Sequence, residues 1–203
     1  MAKQSIVKQS RREGYALHPK AHKALVKRTA LPGKQPGYSG RSKPSQYSLQ
    51  LREKQKVKRL YGLLEKQFSN LMKEADRSSG QSGETLLKFL EQRLDNAVYR
   101  AGFASSRPAA RQLVSHGHFM LNGRRVDIPS IRLKEGDTIT LREKSANNSY
   151  FQKLDDISPD SNESFSWLKI DRKKRSLTVT GIPTRDESEP DINEQLIVEY
   201  YSR

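Results

Sequence analysis

Apolar residues recur every three or four positions through the middle of the chain, which is the pattern of amphipathic helices. One stripe follows Ser48 and consists of Val57, Leu60, Leu64, Phe68, Leu71, Met72 and Ala75. Residues 78–83 are polar and predict a loop. A second stripe opens at Glu84 with Leu86, Leu87, Leu90, Leu94 and Val98, and Gly102 is its predicted end. The pattern therefore predicts two helical segments before residue 103.

Residues 106–126 predict a short basic helix followed by a tight hairpin. Ser106 is an N-cap residue, and Pro108 falls in the first turn, where a missing N–H is tolerated. Gly117 supplies a stop signal for the helix. The pair Asn122-Gly123, flanked by segments 119–121 and 124–126, is the strongest short-range signal for a two-residue hairpin turn.

Beyond residue 130 the apolar period falls to two, which is typical of strands. The pattern predicts a strand at 131–133, a turn at 135–137 and a strand at 138–141. It predicts a second hairpin between 167–170 and 177–179, across the basic turn Arg172 to Arg175. Residues 145–163 between these hairpins are polar, so we expect a surface excursion there.

The C-terminal segment allows two interpretations. Ile192, Leu196, Ile197 and Tyr200 fit a helix capped by Asp191, whereas the run LIVEYY alone suits a strand. The helix is the favoured interpretation.

The first 45 residues predict a basic arm with little periodicity and chain-breaking residues at 32–33, 36–37, 40 and 44. Such a segment buries too little apolar surface to offset its ordering entropy, so we expect it to be disordered or ordered by a partner. Residues 1–60 hold sixteen Lys or Arg and two Glu, which is almost the whole net charge of +15. Residues 155–199 hold six cations and eleven acids. We therefore expect the basic N-terminal part of the chain, and not this segment, to contact phosphate.

The net charge of +15 and pI near 10 are typical of nucleic-acid binding. No apolar run approaches the roughly 18 residues that a membrane span needs, and the N-terminus lacks the apolar core of a secretion signal. We therefore expect a mature cytoplasmic protein with no membrane partner; an organellar transit peptide fits the opening residues less well. Because the chain has no cysteine, disulfides, thiolate metal sites and thiol nucleophiles are excluded.

The sequence offers little support for a catalytic site, a metal site or a phosphate-binding loop. Arg93-Leu94-Asp95 matches the triplet whose Asp is the nucleophile of pseudouridine synthases, but it lies inside an amphipathic helix with no catalytic domain after it. His116 and His118 have no third ligand nearby, so neither a metal nor another cofactor is expected. No Gly-rich phosphate loop of the P-loop type is present. We expect a binding protein and no enzyme.

Three blocks of the sequence resemble the bacterial-type ribosomal small-subunit protein four family. They are LREKQKVKRLYGLLEKQF (51–68), RLDNAVYRAGFASSRPAARQLVSHGHFMLNGRRV (93–126) and DINEQLIVEYYSR (191–203); SRREG (10–14) matches as well. The middle block resembles the small RNA-binding module that is named after ribosomal small-subunit protein four. That module also occurs in pseudouridine synthases, tyrosyl-tRNA synthetases and ribosome-rescue factors.

The pattern and the resemblance together predict an α+β protein with a basic extended N-terminal arm. The expected domains are the arm at 1–45, a helical domain at 46–91 joined by the tail 191–203, and an α+β domain at 92–190. The inserted RNA-binding module, of helices plus a small antiparallel sheet, is expected at about 93–155.

The resemblance implies a structural, rRNA-binding component of the small ribosomal subunit. The family binds 16S rRNA at a multi-helix junction in its 5′ domain and helps nucleate assembly of the subunit body. It lies beside ribosomal protein five of the small subunit, where the interface affects translational accuracy, and near the place where mRNA enters. Other small-subunit proteins are expected partners.

The resemblance also implies which residues meet these partners. The RNA-facing residues in the basic blocks are Arg11, Arg12, Arg52, Lys54, Lys58 and Arg59, followed by Arg93 and Arg100 on the helix before the module. Those on the module itself are Arg107, Arg111, Gln112, His116, Arg124 and Arg125. Arg41 and Lys43 are expected near incoming mRNA. The contact with ribosomal protein five is expected at Asp191, Glu194, Glu199, Tyr200 and Tyr201.

The sequence departs from many bacterial members of the family in lacking the N-terminal cysteine cluster that binds zinc, so zinc is excluded there. The alternative class is a free RNA-binding regulator or rescue factor that uses the same module. The blocks at 51–68 and 191–203 favour the ribosomal protein, because they belong to it and not to the module.

Overall fold

A computed structural model describes residues 5–28, 30–33, 44–158 and 165–202. Its α-helices are α1 (Ile6–Glu13), α2 (His22–Lys27), α3 (Gln46–Leu60), α4 (Glu65–Arg77), α5 (Ser82–Glu91), α6 (Leu94–Arg100), α7 (Arg107–Ser115), α8 (Glu143–Ala146), α9 (Ser149–Gln152), α10 (Leu154–Ile157) and α11 (Glu194–Tyr201). Its strands are β1 (Phe119–Leu121), β2 (Arg124–Val126), β3 (Thr138–Leu141), β4 (Leu168–Asp171) and β5 (Ser176–Val179). The predicted α+β class is confirmed.

The chain divides into two compact units. One runs to Gly83 and also includes the C-terminal segment from Asp191, whereas the other comprises Glu84–Pro190. The first unit is helical, and the second combines the sheet with the remaining helices.

The helical unit is built around α3 and α4, whose buried residues include Val57, Phe68, Met72 and Ala75. The expectation of one continuous apolar stripe is wrong. The chain leaves the helix at Tyr61 and Gly62, and α4 starts anew after Leu64, which is 71% exposed. A helical period drawn through a turn assigns such a residue to the wrong face.

The basic arm is more ordered at its start than the sequence pattern indicates. Residues 6–13 are helical, a 3-10 turn spans Pro19–Ala21, and α2 follows. The hydroxyl of Ser10 donates to the carbonyl of Ile6 at 2.9 Å and accepts from the N–H of Leu17 at 3.3 Å. The predicted chain-breaking residues all lie after residue 31, so the average over 45 residues hid these helices.

The C-terminal segment is the helix α11, and it packs along α3. Its N-cap is Asn193, whose side chain accepts from the N–H of Leu196, so the predicted cap at Asp191 is wrong. The N–H of Asn193 donates to the carboxylate of Glu53 at 2.9 Å. The strand interpretation is wrong, because the run LIVEYY lies within this helix.

The second unit contains a five-stranded antiparallel sheet with the order β2-β1-β3-β5-β4. Its core is formed by side chains from the strands and from α6 and α7, including Phe119, Ile139, Trp167 and Leu177. The hairpins predicted at 119–126 and 167–179 are present, as β1–β2 and β4–β5. Pairing of β3 with β5 joins them into one sheet.

Three predicted elements of this unit are wrong. The second stripe is interrupted between α5 and α6, where Arg93 bridges Arg132. Residues 131–133 therefore pair with the 92–94 segment and do not form a hairpin with β3. The excursion after residue 145 includes short helices whose side chains Phe151 and Leu154 are buried in the core, so it is not confined to the surface. Contacts with residues distant in the sequence decide these three features, and the period of the apolar residues does not indicate such contacts.

Candidate nucleic-acid interface

The α7 helix and the β1–β2 hairpin have the predicted local structure. The hydroxyl of Ser106 accepts from the N–H of Ala109 at the start of α7, and Gly117 has a left-handed backbone with φ +69° just after it ends. Asn122 and Gly123 both have positive φ, as a two-residue turn of this kind requires. The side chain of Asn122 also accepts from the N–H of Thr138 at 2.9 Å, which ties the turn to β3.

Gly117 brings two cations of the second unit together. The guanidinium of Arg125, on β2, lies against Gly117, with Nε 2.6 Å from where a Cβ would stand. The guanidinium of Arg142, just after β3, donates to the carbonyl of Gly117 at 2.9 Å. A side chain at position 117 would displace the guanidinium of Arg125, so only glycine at this position allows the observed place of the Arg125 charge. Sequence reasoning missed Arg142, because no local motif marks it.

Several of the predicted residues on α7, just after it and on β2 reach solvent. Gln112, His116, Arg124 and Arg125 are exposed. The side chain of Arg111 is 36% exposed, and its Nη1 lies 3.9 Å from the carboxylate of Asp95. Together they form an exposed cationic surface at the end of α7 and on the hairpin, which we call the hairpin surface.

Three other predicted RNA-facing arginines of this unit are placed inside. Arg93 binds Asp95 with two hydrogen bonds of 3.0 and 2.8 Å, and its side chain is 7% exposed. Arg100 binds Glu91 in the same bidentate manner, at 3.0 and 2.9 Å. Their charges are therefore matched by carboxylates within the chain.

Arg107 completes this internal network. It donates to the amide oxygen of Asn96 at 2.9 Å and to the carboxylate of Glu189 at 2.7 Å. Its guanidinium also lies 4.6 Å from the centre of the Tyr99 ring. Bidentate and charge-assisted hydrogen bonds of this kind hold side chains in one geometry. Arg107 therefore connects α6, α7 and the 180–190 segment, and its side chain is 11% exposed.

The predicted cations of the helical unit divide in the same way. Arg52 and Arg59 both bind the carboxylate of Glu13, which is fully buried. Burial raises the pKa of Glu13, and the two guanidinium groups oppose that rise. Arg11 donates to the carbonyl of Ala30 at 2.6 Å, whereas Arg12 is exposed. The pairs on Glu13 fasten α1 to α3.

Lys54 and Lys58 bind the carboxylate of Glu65 at 2.7 Å each. The side chain of Lys54 is 4% exposed, and its Nζ lies 4.5 Å from the centre of the Tyr200 ring. The structure therefore places Lys54 inside the helical unit, away from solvent. Burial raises the pKa of Glu65, but hydrogen bonds from Lys54, Lys58 and Tyr201 outweigh it and lower the pKa to about 2.

The residues predicted for a protein contact lie on or just before α11. Tyr201 donates to Glu65 at 3.0 Å, and burial together with that hydrogen bond raises the pKa of its hydroxyl. Tyr200 stacks on Tyr47 with ring centroids 5.9 Å apart. Glu199 accepts from Gln46 and Gln50, Glu194 packs against Gly83, and the carbonyl of Asp191 accepts from Lys56. Asp191 and Glu199 are nevertheless exposed, so their outer sides are open to a partner.

Some further residues bear on the site. Arg41 and Lys43, predicted near mRNA, lie outside the described residues. Arg132, which sequence reasoning did not select, places its guanidinium 3.7 Å from the centre of the Phe89 ring. Among the helices of the described residues, none has the length and apolar character needed to cross a membrane.

Comparisons with known proteins match both units. The "S4 domain" family matches residues 92–139, and the "Ribosomal protein S4/S9 N-terminal domain" family matches residues 2–91. The chain is 50% identical over 200 residues to small ribosomal subunit protein uS4 of Chlorobaculum tepidum, covering 98% of this chain and 97% of that one. It is 50% identical over 202 residues to the protein of the same name from Clostridioides difficile, covering 97% and 96%. The protein of that name from Syntrophomonas wolfei is 47% identical over 204 residues.

Proposed function

The chain belongs to the family of small ribosomal subunit protein uS4, and we propose that it binds 16S rRNA directly at a multi-helix junction of the 5′ domain. In this role it nucleates assembly of the subunit body in the cytoplasm. As a member of this family it is an RNA-binding ribosomal protein and not an enzyme.

The observation that carries this proposal is the hairpin surface. Arg124 and Arg125 are exposed on a hairpin, and the glycine at position 117 leaves room for the guanidinium of Arg125 beside the end of α7. Folded RNA is recognised largely by shape, through phosphate and 2′-hydroxyl contacts, because side chains do not enter the deep groove of an A-form helix. An arginine presents a planar fork of donors that matches a phosphate, so two exposed arginines on this hairpin suit the task.

The helical unit supplies a second part of the RNA interface in this proposal. Arg12 is exposed, and the side chain of Arg52 is 38% exposed although it binds Glu13. Arg59 and Lys58 are more enclosed, at 22% and 15%, so we assign them mainly to holding α1 and α4 against α3. Lys54, Arg93, Arg100 and Arg107 act indirectly in this scheme, since their charges are engaged inside the protein.

The test is the salt dependence of binding to an RNA fragment that carries the 5′ domain of 16S rRNA. Removal of each phosphate contact lowers the slope of log K against log salt by somewhat less than one. The double variant R124A/R125A should therefore bind more weakly and show a slope smaller by roughly 1.5 to 2. The matched control is K66A/K73A, which removes two exposed charges from α4. Equal slopes for R124A/R125A and the parent chain would remove the hairpin surface from the interface.

We further assign the exposed side of α11 to ribosomal protein five and to translational accuracy. Asp191 and Glu199 reach solvent while the apolar side of the helix is buried, which leaves an acidic surface for a protein partner. In small subunits reconstituted with D191K, the misreading frequency should change while affinity for 16S rRNA is retained. Loss of rRNA affinity in D191K would instead assign Asp191 to the helical packing alone.

The basic arm is the part of the chain proposed to lie near incoming mRNA. Subunits carrying R41A/K43A should cross-link less to mRNA at the point where it enters, with rRNA binding preserved. Stoichiometric recovery of the parent chain in salt-washed small subunits on a sucrose gradient tests the ribosomal role itself. Its loss in the wash would favour a transiently bound RNA regulator.

A further inference from the structure

The turn between β4 and β5 is a second strongly basic feature of the Glu84–Pro190 unit. Asp171 pairs with Ser176, and the four residues between them are Arg172, Lys173, Lys174 and Arg175. The N–H of Lys174 donates to the side chain of Asp171 at 3.0 Å, which closes the turn. The proposed RNA interface described above uses none of these residues.

Arg175 occupies a backbone conformation that favours glycine or asparagine. Its φ is +49°, in the left-handed region, where a Cβ crowds the backbone. The conformation is fixed from both sides, because the N–H of Arg175 donates to the carbonyl of Arg172 and its own carbonyl accepts from the N–H of Leu141. A strained position that retains a long cationic side chain indicates a use for the charge.

The four basic residues do not share one role. Arg172 points back into the unit: it donates to the carbonyl of Ser158 at 2.6 Å and to Asp155 at 3.2 Å. Lys173 and Lys174 are exposed, and Lys174 lies 4.0 Å from the carboxylate of Asp171. Within the described part of the chain, no carboxylate pairs with Lys173 or Arg175. Arg172 therefore anchors the turn, whereas Lys173 and Lys174 are exposed and Arg175 is half-buried.

Direct contacts connect this turn to the hairpin surface. The carbonyl of Arg175 accepts from the N–H of Leu141, and the next residue, Arg142, donates from its own N–H to the carbonyl of His118. The side chain of Arg142 then binds Gly117, against which Arg125 lies. Gly117, His118, Arg142 and Arg175 are at the same end of the sheet, since Leu141 is paired with Phe119. Arg125 is opposite Met120 in the middle of β1, whereas Arg124 is opposite Leu121, towards the other end. Three strand spacings, about 14 Å, separate β2 from β5.

We propose that Lys173, Lys174 and Arg175 are a second phosphate-contact surface, which extends the hairpin surface from Arg125 and the end of α7 to the β4–β5 turn. The partner is RNA backbone, contacted by charge and without base recognition. One folded RNA that lies along this end of the sheet contacts both surfaces. The inference rests on the proposed RNA-binding function and deepens it by adding a contact outside the residues matched by the S4 domain.

The test uses the full chain and the same 5′-domain RNA fragment of 16S rRNA. R175G removes one charge and also relieves the left-handed strain, so its melting temperature should equal or exceed that of the parent chain. Its salt slope should be smaller by somewhat less than one. The triple variant K173A/K174A/R175G should reduce the slope by roughly 2 to 3, and R175K should keep the parent slope.

The matched control is K66A/K73A/R77A, which removes three exposed charges from α4 in the other unit. A smaller slope for the turn variant than for this control supports a local contact. Equal loss in the two variants would mean that net charge alone acts, and an unchanged slope in a folded turn variant would exclude phosphate contact. Either result overturns the inference.

Two further outcomes separate this inference from the proposed function. If R124A/R125A flattens the salt slope and the turn variant does not, the proposed function stands and this inference fails. If the parent chain does not bind the RNA fragment, the proposed function itself fails. Weaker incorporation of the turn variant into small subunits, with unchanged binding to naked RNA, would assign the turn to an acidic protein neighbour and overturn the RNA contact.

Discussion

Replacing Glu65 with glutamine should weaken the packing of the C-terminal helix in a pH-dependent way. The carboxylate of Glu65 accepts from Lys54 and Lys58 at 2.7 Å and from the hydroxyl of Tyr201 at 3.0 Å. It therefore joins three elements, α3, α4 and α11. E65Q keeps the size of the side chain and removes its charge.

The magnitude follows from the pKa of this carboxyl. A pKa of about 2 in place of the ordinary 4.5 corresponds to roughly 3 kcal/mol at about 1.4 kcal/mol per pKa unit. The side chain of Glu65 is 48% exposed, so solvent screening reduces that figure substantially. The enclosed ammonium of Lys54, which then lacks its carboxylate, acts in the other direction. We expect E65Q to lower the free energy of unfolding by about 1 to 2 kcal/mol at pH 7.

The sign of the pH dependence is fixed by the lowered pKa. A carboxyl whose pKa is lower in the folded state stabilises it fully above its unfolded pKa, and that stabilisation is lost as pH falls towards the folded pKa. The difference between the parent chain and E65Q should therefore be constant above about pH 6 and shrink by more than half by about pH 3.

Urea unfolding at pH 7, 5 and 3 measures this difference. Far-UV circular dichroism follows the loss of the helices in the parent chain and in E65Q. The matched control is D76N, an exposed carboxylate on the same helix. A difference between parent and E65Q that stays the same from pH 7 to pH 3 would refute the reasoning, because the charge of Glu65 would then contribute nothing to the packing.

Three other perturbations test the second unit. G117A places a Cβ 2.6 Å from the guanidinium of Arg125 in a left-handed backbone, so it should lower RNA affinity and the melting temperature together; normal RNA affinity in titrations would contradict the role of Gly117. F119A empties a fully buried position and should lower the free energy of unfolding by about 3 to 5 kcal/mol in urea, and a loss under 1 kcal/mol would argue against a packed core there. E189Q removes the carboxylate bound by Arg107 at 2.7 Å and should lower it by about 1 to 3 kcal/mol, with the Trp167 fluorescence transition as the readout; an unmoved transition would show the network to be dispensable.

Local signals account for the elements that were predicted correctly. Ser106, Gly117 and the pair Asn122-Gly123 each act through the backbone of their own few residues, so the helix and hairpin follow from composition at those positions. The β4–β5 hairpin follows from the apolar pattern of its two strands, although its turn contains Arg175 at a positive φ in place of a glycine or asparagine. The elements that were predicted wrongly depend on distant partners, as residues 131–133 do on the 92–94 segment.

The candidate site shows the same division. Sequence reasoning selected positions rich in arginine and lysine, but it assigned all of them to RNA. The structure keeps Arg124 and Arg125 in solvent and places Lys54 and Arg93 in ion pairs with Glu65 and Asp95. Whether a cation is exposed depends on which carboxylate the fold brings beside it, and this carboxylate can be more than eighty residues away, as Glu189 is from Arg107.

The sequence by itself determined the charge of the protein, its main local elements and its family, because these depend on composition, short-range backbone preferences and the order of matching blocks. Only the tertiary structure decided which cations are free to meet phosphate. It pairs Arg107 with Glu189, packs Arg125 against Gly117, and places the β4–β5 turn beside the end of β3 through the pairing of β3 with β5. The first and the last of these contacts join residues far apart in the chain, and no local pattern specifies them.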